Sequence, residues 1–252
     1  MSDEAEILKK RFIELAKKSH GSGIFLFSDF LGLAEQSIFD SVRKSLGGAN
    51  YTLFGGAAGA ERVMVRFGDP EELLYEVSFP ITLLKIEPKS QKFADKLTHR
   101  DFLGAILNLG IERTVLGDIV IRDNVAFAFA RDDIAEYIRK ELFRVRNTEV
   151  NINFCDTLPD GELYRTEEKT VQISSERLDA VIARVYNLSR EDAQRLFLRG
   201  LVFASGRQID STCYTPKENE KISVRGLGRF IYRGYVSSSK KGKLNVLCEL
   251  YV

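Results

Sequence analysis

The chain has 252 residues, 44% of them hydrophobic, and a formal net charge of +1, an ordinary composition for a folded protein of two or three small domains. It has no run of 18 apolar residues, only three scattered cysteines (Cys155, Cys213, Cys248) and two isolated histidines (His20, His99). Membrane insertion, a disulfide framework and a metal site are therefore not expected. The opening MSDEAEILKKRF lacks an apolar h-region, so a cytoplasmic protein is expected.

Ile7, Leu8, Phe12, Leu15 and Ala16 recur near helical spacing, which predicts a helix over 3–18, broken by HGSG at 20–23. A second helix is expected over 34–46, stopped by Gly47 and Gly48. YTLFGG and ERVMVRFG have strand composition around a Gly/Ala turn, and Asp69-Pro70 opens a short helix. Gly55, Gly56 and Gly59 read as turn and close-packing glycines. The Glu61-Arg62 pair carries no evident chemistry.

The middle of the chain follows the order β-α-β-β-α-β: ITLLKIEP (81–88), THRDFLGAILNLG (98–110), GDIVIRD (117–123), VAFAFAR (125–131), DDIAEYIRKELFRV (132–145) and TEVNINFCD (148–156). That order predicts a ferredoxin-like (RRM-like) unit. Thr98 and Asp101 suit a helix start, and Asp123-Asn124 a tight hairpin turn. Phe127 and Phe129 share one face and read as core rather than as a base-stacking platform, because the RNP signature is missing. DTLPDGELYRTEEKT (156–170) reads as a linker or exposed hairpin.

Two short helices follow, over about 176–186 and 190–199, the first capped by Ser174 or Ser175 and the second by Ser189. Glycine-punctuated strands complete the chain. The expected class is α+β, with an N-terminal α/β domain over 1–80, the middle domain over 81–172 and a C-terminal domain over 173–252. Their net charges are −3, −2 and +6. Between Lys221 and Lys243 seven residues are basic and none is acidic. Such a one-signed stretch at the end of an acidic body points to an anionic partner.

The residues RLD (177–179), SREDAQRLFLRGLVF (189–203), SGR (205–207) and KENEKISVRG (217–226) resemble the S4 RNA-binding domain, the αL motif. The chain departs from that pattern at Ser205-Gly206, often Asn-Gly, and at Asn219-Glu220, often Gly-Asp. With LFGGAAGAERVMVRFGDP, HRDFLGAILNLGIERTVLGDIVI and VRGLGRFIYRGYVSSSKKGK, nearly the whole chain resembles the YlmH family of bacterial RNA-binding proteins, often encoded beside cell-division genes. The resemblance implies structured RNA (rRNA and tRNA) and the large ribosomal subunit as partners, in rescue of stalled translation, with no cofactor. The chain is expected to be a monomer.

S4-type roles fall first on Arg177 and Arg190, near the starts of their helices, where backbone N–H groups also favour phosphate. Arg195, Arg207 and Lys217 come next, with Lys240 and Lys241 in the basic stretch. Arg225, Arg229 and Arg233, four apart, are expected on one strand face as a phosphate track. A salt bridge to Asp179 or Glu176 is the structural alternative for Arg177. An enzyme is not expected. The S4-like segment comes last, so no pseudouridine synthase domain follows it, and LFGGAAGAERV lacks both GxGxxG spacing and the P-loop Lys. The alternatives are an accessory of an RNA-modifying enzyme and a cell-division-associated interaction protein.

Overall fold

A computed structural model describes residues 3–159, 166–239 and 242–251. The chain divides into two compact units, Met1–Leu163 and Tyr164–Val252, each of mixed α and β structure.

The first unit opens with α1 (Asp3–Ser22), β1 (Leu26–Phe27), α2 (Leu33–Val42), β2 (Tyr51–Phe54), β3 (Met64–Phe67) and α3 (Pro70–Leu73). Helix α1 runs four residues past its expected end, through Gly21, and stops before Gly23, whose φ is +62°. The strands form an antiparallel sheet in the order β1-β3-β2. Phe39 of α2 joins the layers, edge-on to Phe12 at 5.1 Å and to Tyr51 at 5.0 Å. Asp69 accepts from the Glu71 N–H and caps α3, with Pro70 leading the helix as expected.

Next come β4 (Ile81–Pro88), α4 (His99–Leu107), β5 (Leu116–Arg122), β6 (Val125–Arg131), α5 (Asp132–Glu141), β7 (Arg144–Val145) and β8 (Thr148–Cys155). Their sheet is antiparallel throughout, in the order β5-β6-β4-β8-β7. Thr98 and Asp101 form a reciprocal capping box on α4. Asp123 and Asn124 turn the β5–β6 hairpin with positive φ at both positions. Helices α4 and α5 cover one face of the sheet through Phe102, Ile106, Ala135 and Ile138. Helix α5 is shorter than its periodicity suggests, and Val145 pairs with Thr148 in a strand. Phe127 and Phe129 lie on the face turned away from these helices, yet both are buried.

The two halves of this unit are joined by Arg62 and Asp118. The Arg62 guanidinium donates to the carbonyls of Leu116, Phe30 and Arg113 at 2.8, 3.0 and 3.1 Å. Asp118 accepts from the Glu61 N–H at 2.6 Å. The Phe30 N–H donates to the Thr114 carbonyl at 2.8 Å. Gly56, with φ +95°, sits so close to Phe129 that a Cβ would lie 2.2 Å from the ring. The Glu61-Arg62 pair is therefore a structural clasp, and residues 3–80 pack with the middle sheet rather than standing alone.

The second unit contains β9 (Thr166–Ile173), α6 (Leu178–Val185), α7 (Arg190–Leu198), β10 (Val202–Ala204), β11 (Arg207–Gln208), β12 (Glu220–Val224), β13 (Gly228–Ser238) and β14 (Leu244–Tyr251). They build a six-stranded sheet in the order β11-β10-β12-β13-β14-β9. Helices α6 and α7 cover one face, over a core that includes Val181, Phe197, Ile222, Phe230 and Val246. Residues 166–170 are not linker, and the boundary expected at 172/173 moves to 163/164. Strand β9 pairs with β14 over eight residues and puts Val171 and Ile173 into the core. Its first half, TEEK, is too polar to show this in the sequence. No helix among the described residues is long and apolar enough to cross a membrane.

Candidate nucleic-acid interface

The helical side of the second unit is organised by a buried carboxylate. Arg177 occupies the N-cap position of α6 and Arg190 the first position of α7. No side chain caps α6, so neither Ser174 nor Ser175 has that role. Ser189 caps α7, accepting from the Asp192 N–H at 3.1 Å. Asp179, in the first turn of α6, has no exposed surface. It accepts from Arg177 Nε and Nη2 at 3.1 and 2.9 Å and from Gln194 Nε2 at 3.0 Å. Arg190 Nε lies 3.5 Å from the same carboxylate.

Burial opposes ionisation of Asp179. The hydrogen bonds from Gln194 and Arg177 and the charges of Arg190 and Arg177 outweigh it, holding the carboxyl below the usual range. Arg177's own hydrogen bonds to Asp179 raise its pKa. The salt-bridge alternative for Arg177 therefore holds in the structure, with Asp179 as the partner. It also brings Arg177 and Arg190 together, both partly open to solvent.

The remaining sequence candidates divide. Arg195 is exposed but sits beside two acids of its own helix, at 2.6 Å from Glu191 and 3.4 Å from Asp192. Arg207 lies on exposed β11, its guanidinium 5.9 Å from the Tyr214 ring centroid. Lys217 is exposed. Lys240 and Lys241 lie outside the described residues.

The expected three-arginine track is only partly present. Arg225 is in the turn between β12 and β13, not in a strand. Arg229 and Arg233 do share a face of β13, opposite buried Phe230 and Tyr232. Arg233, however, is bound in parallel to Glu249, 2.8 Å at both Nε and Nη2, and donates to Asn219 Oδ1 at 2.6 Å. Its charge is thereby matched, and its pKa is raised by Glu249. Register adds something that spacing does not show. Phe203, Ser223 and Arg229 lie side by side across β10, β12 and β13. Arg225 stacks on Phe203 at 4.6 Å and Arg229 on Tyr251 at 4.9 Å. The sheet face away from the helices thus carries two arginine–aromatic stacks.

Residues 75–158 match a family model described as "Putative RNA-binding domain in YlmH". Over 231 residues the chain is 28% identical to the "Ribosome-associated protein quality control protein P2" of Bacillus subtilis, covering 88% of this chain and 86% of that protein. Both matches support a likeness to the YlmH family. A solved structure titled "Cell division protein ylmH from Streptococcus pneumoniae" aligns with 62% of this chain and 93% of its own, at 23% identity and a TM-score of 0.49.

The YlmH match over 75–158 falls on the middle sheet, not on the basic second unit. That part of the first unit holds an open cleft of about 710 Å³, lined by Phe54, Phe79, Phe129 and Phe154 with Thr82 and Asp156. Phe54 and Phe154 are exposed. Sequence reasoning passed over this cleft because Phe54 and Phe79 are brought to the middle sheet only by the folded first unit. It named Asp179 only as a possible salt-bridge partner of Arg177 and passed over Gln194, whose part depends on the packing of α6 against α7.

Proposed function

We propose that this YlmH-like chain is a non-catalytic RNA-binding protein whose second unit, an S4-type domain, holds rRNA and tRNA on the large ribosomal subunit during quality control of stalled translation. The observation that carries this reading is the pair of guanidiniums, Arg177 and Arg190, set at two helix starts around one buried carboxylate. Such a pair is fixed in place before any ligand arrives, and helix N-termini favour phosphate. The two helices ahead of a basic antiparallel sheet support the S4 assignment. The strand order β5-β6-β4-β8 with α4 and α5 on one face supports a ferredoxin-like middle domain. The Bacillus subtilis relative carries ribosome-associated quality control in its name, which supports the ribosomal setting. Its match extends over both units.

Sucrose-gradient fractionation of cell extracts tests the proposal. The full chain is expected to sediment with large-subunit particles, more so when translation is stalled. The Arg177→Ala, Arg190→Ala double variant is expected near the top of the gradient. A wild-type chain that stays at the top in low salt would overturn the ribosomal assignment.

A further inference from the structure

A notch of about 390 Å³ opens on the helical side of the second unit, between the end of β9, α6, the start of α7 and the residue before β14. Its floor includes Ala180 and Ala183, three apart on one face of α6. Their small side chains leave the concavity open. Arg184, Arg190 and Lys243 line it from three separate parts of the chain, and among the described residues no Asp or Glu does. Arg184 and Lys243 are exposed, and among the described residues neither side chain forms an ion pair. Arg190 already shares the buried Asp179 carboxylate, but Arg184 and Lys243 repel each other across the concavity, and an anion inside it relieves that repulsion.

We propose that this notch is a phosphate-binding site, taking one backbone phosphate of a bound RNA with Arg184 and Lys243 as ligands beside Arg190. The inference rests on the RNA-binding reading above and adds two residues that reading does not use. Among the described residues no aromatic ring on which a base could stack lines the notch. Its ligand is therefore the sugar–phosphate chain, held without regard to sequence. The Ser174 hydroxyl at the edge supplies a neutral donor. Arg184 also sits in the last turn of α6, where a cation complements the helix dipole. The dipole accounts for Arg184 and Asp179 for Arg190, but neither accounts for Lys243 or for the convergence of the three.

The test uses the full chain and unfractionated tRNA as probe, with affinity measured between 50 and 200 mM salt. Arg184→Gln and Lys243→Gln are each expected to weaken binding several-fold. The double variant is expected to flatten the slope of log affinity against log salt by about 0.7–0.9, the loss of one phosphate contact. Arg199→Gln removes the same charge from an exposed site outside the notch and is expected to leave the slope unchanged. Wild-type binding with an unaltered slope in the double variant would overturn the notch alone. An equal effect from Arg199→Gln would do the same, by showing that only net charge matters. No wild-type binding at any salt would instead overturn the RNA-binding reading itself. A melting temperature raised by inorganic phosphate in the wild type but not in the double variant, with RNA affinity equal in both, would assign the notch to free phosphate and overturn its RNA role.

Discussion

Arg177 grips the buried carboxylate of Asp179 with two parallel hydrogen bonds, at 3.1 and 2.9 Å. This pair makes Asp179→Asn informative. The variant leaves two guanidiniums without their counter-charge and should lose roughly 1–3 kcal/mol of stability at neutral pH, read by urea unfolding. The folded carboxyl titrates below its ordinary value of 3.8. Its stabilising contribution is therefore complete above that value and is lost as pH falls through the lowered folded value. The stability gap between wild type and variant should close on the acid side of pH 4. A gap that stays constant there would mean that the asparagine side chain is costly for its packing alone.

Two arginine-to-alanine changes in the same unit should behave differently. Arg177→Ala strips charged hydrogen bonds from a carboxylate with no exposed surface, and should cost clearly more stability than the loss of an exposed pair. Arg195→Ala breaks pairs with the exposed Glu191 and Asp192, and should cost about 0.5 kcal/mol or less. Equal losses in thermal unfolding would show that the Asp179 hub adds nothing to the fold. Arg177 is thus both a candidate RNA ligand and part of the fold, so its RNA-binding defect must be read beside its stability.

How far the sequence spoke depends on how local each feature is. The capping box of Thr98 and Asp101, the cap from Ser189, and the Asp123-Asn124 turn are set by neighbours within a few residues, and all are legible. So is the turn at Ser205-Gly206, which has positive φ at both positions although Ser replaces the more usual Asn. Strand β9 was hidden because five of its residues, Thr166 to Thr170, are charged or polar, and its partner lies more than 70 residues away. The arginine–aromatic stacks needed cross-strand register, and the clasp at Arg62 needed carbonyls from two segments more than 80 residues apart. Spacing along the chain carries none of that.

The hidden strand sets the limits of a stable C-terminal fragment. A fragment of residues 164–252 retains β9 and should unfold cooperatively on heating. A fragment of residues 174–252 loses Val171 and Ile173 from the core and bares the edge of β14. Burial of each such side chain contributes about 1.5–3 kcal/mol, a large share of the stability of so small a unit. The shorter fragment should melt at a clearly lower temperature and associate through its open edge. Matching melting curves for the two would show β9 to be dispensable.

Gly56 marks the closest approach of the N-terminal segment to the middle sheet. Its φ of +95° and the 2.2 Å separation of an added Cβ from Phe129 penalise any side chain twice, through backbone strain and through overlap. Gly56→Val should lower stability by about 2 kcal/mol or more. Gly59 has a similar φ of +78° but open space around it, so Gly59→Asn should be tolerated much better, since Asn adopts that backbone region readily. Similar melting temperatures for the two variants would remove the packing argument.

Arg62 supplies the sharpest test of how residues 3–80 are held to the middle sheet. Its guanidinium spans three carbonyls, of Phe30, Arg113 and Leu116, drawn from both halves of the first unit. A lysine can place only one ammonium where the planar fork reaches several acceptors. Arg62→Lys should therefore fail to restore what Arg62→Ala loses, and both should cost roughly 1–3 kcal/mol, since the buried Phe30 carbonyl loses its donor while the Arg113 and Leu116 carbonyls keep the Leu116 N–H and Arg113 Nη1. Hydrogen exchange localises the effect. The Phe30 N–H, bonded to the Thr114 carbonyl, and the Glu61 N–H, bonded to Asp118, both cross the join and should exchange much faster in either variant. Amides of β4 and β6, paired with each other over six residues in the middle sheet, should keep their protection. If the amides of β4 and β6 lose protection together with those of Phe30 and Glu61, the unit opens as a whole and Arg62 is not a clasp between two parts. If none changes, the Phe30 carbonyl finds another partner and the clasp is dispensable.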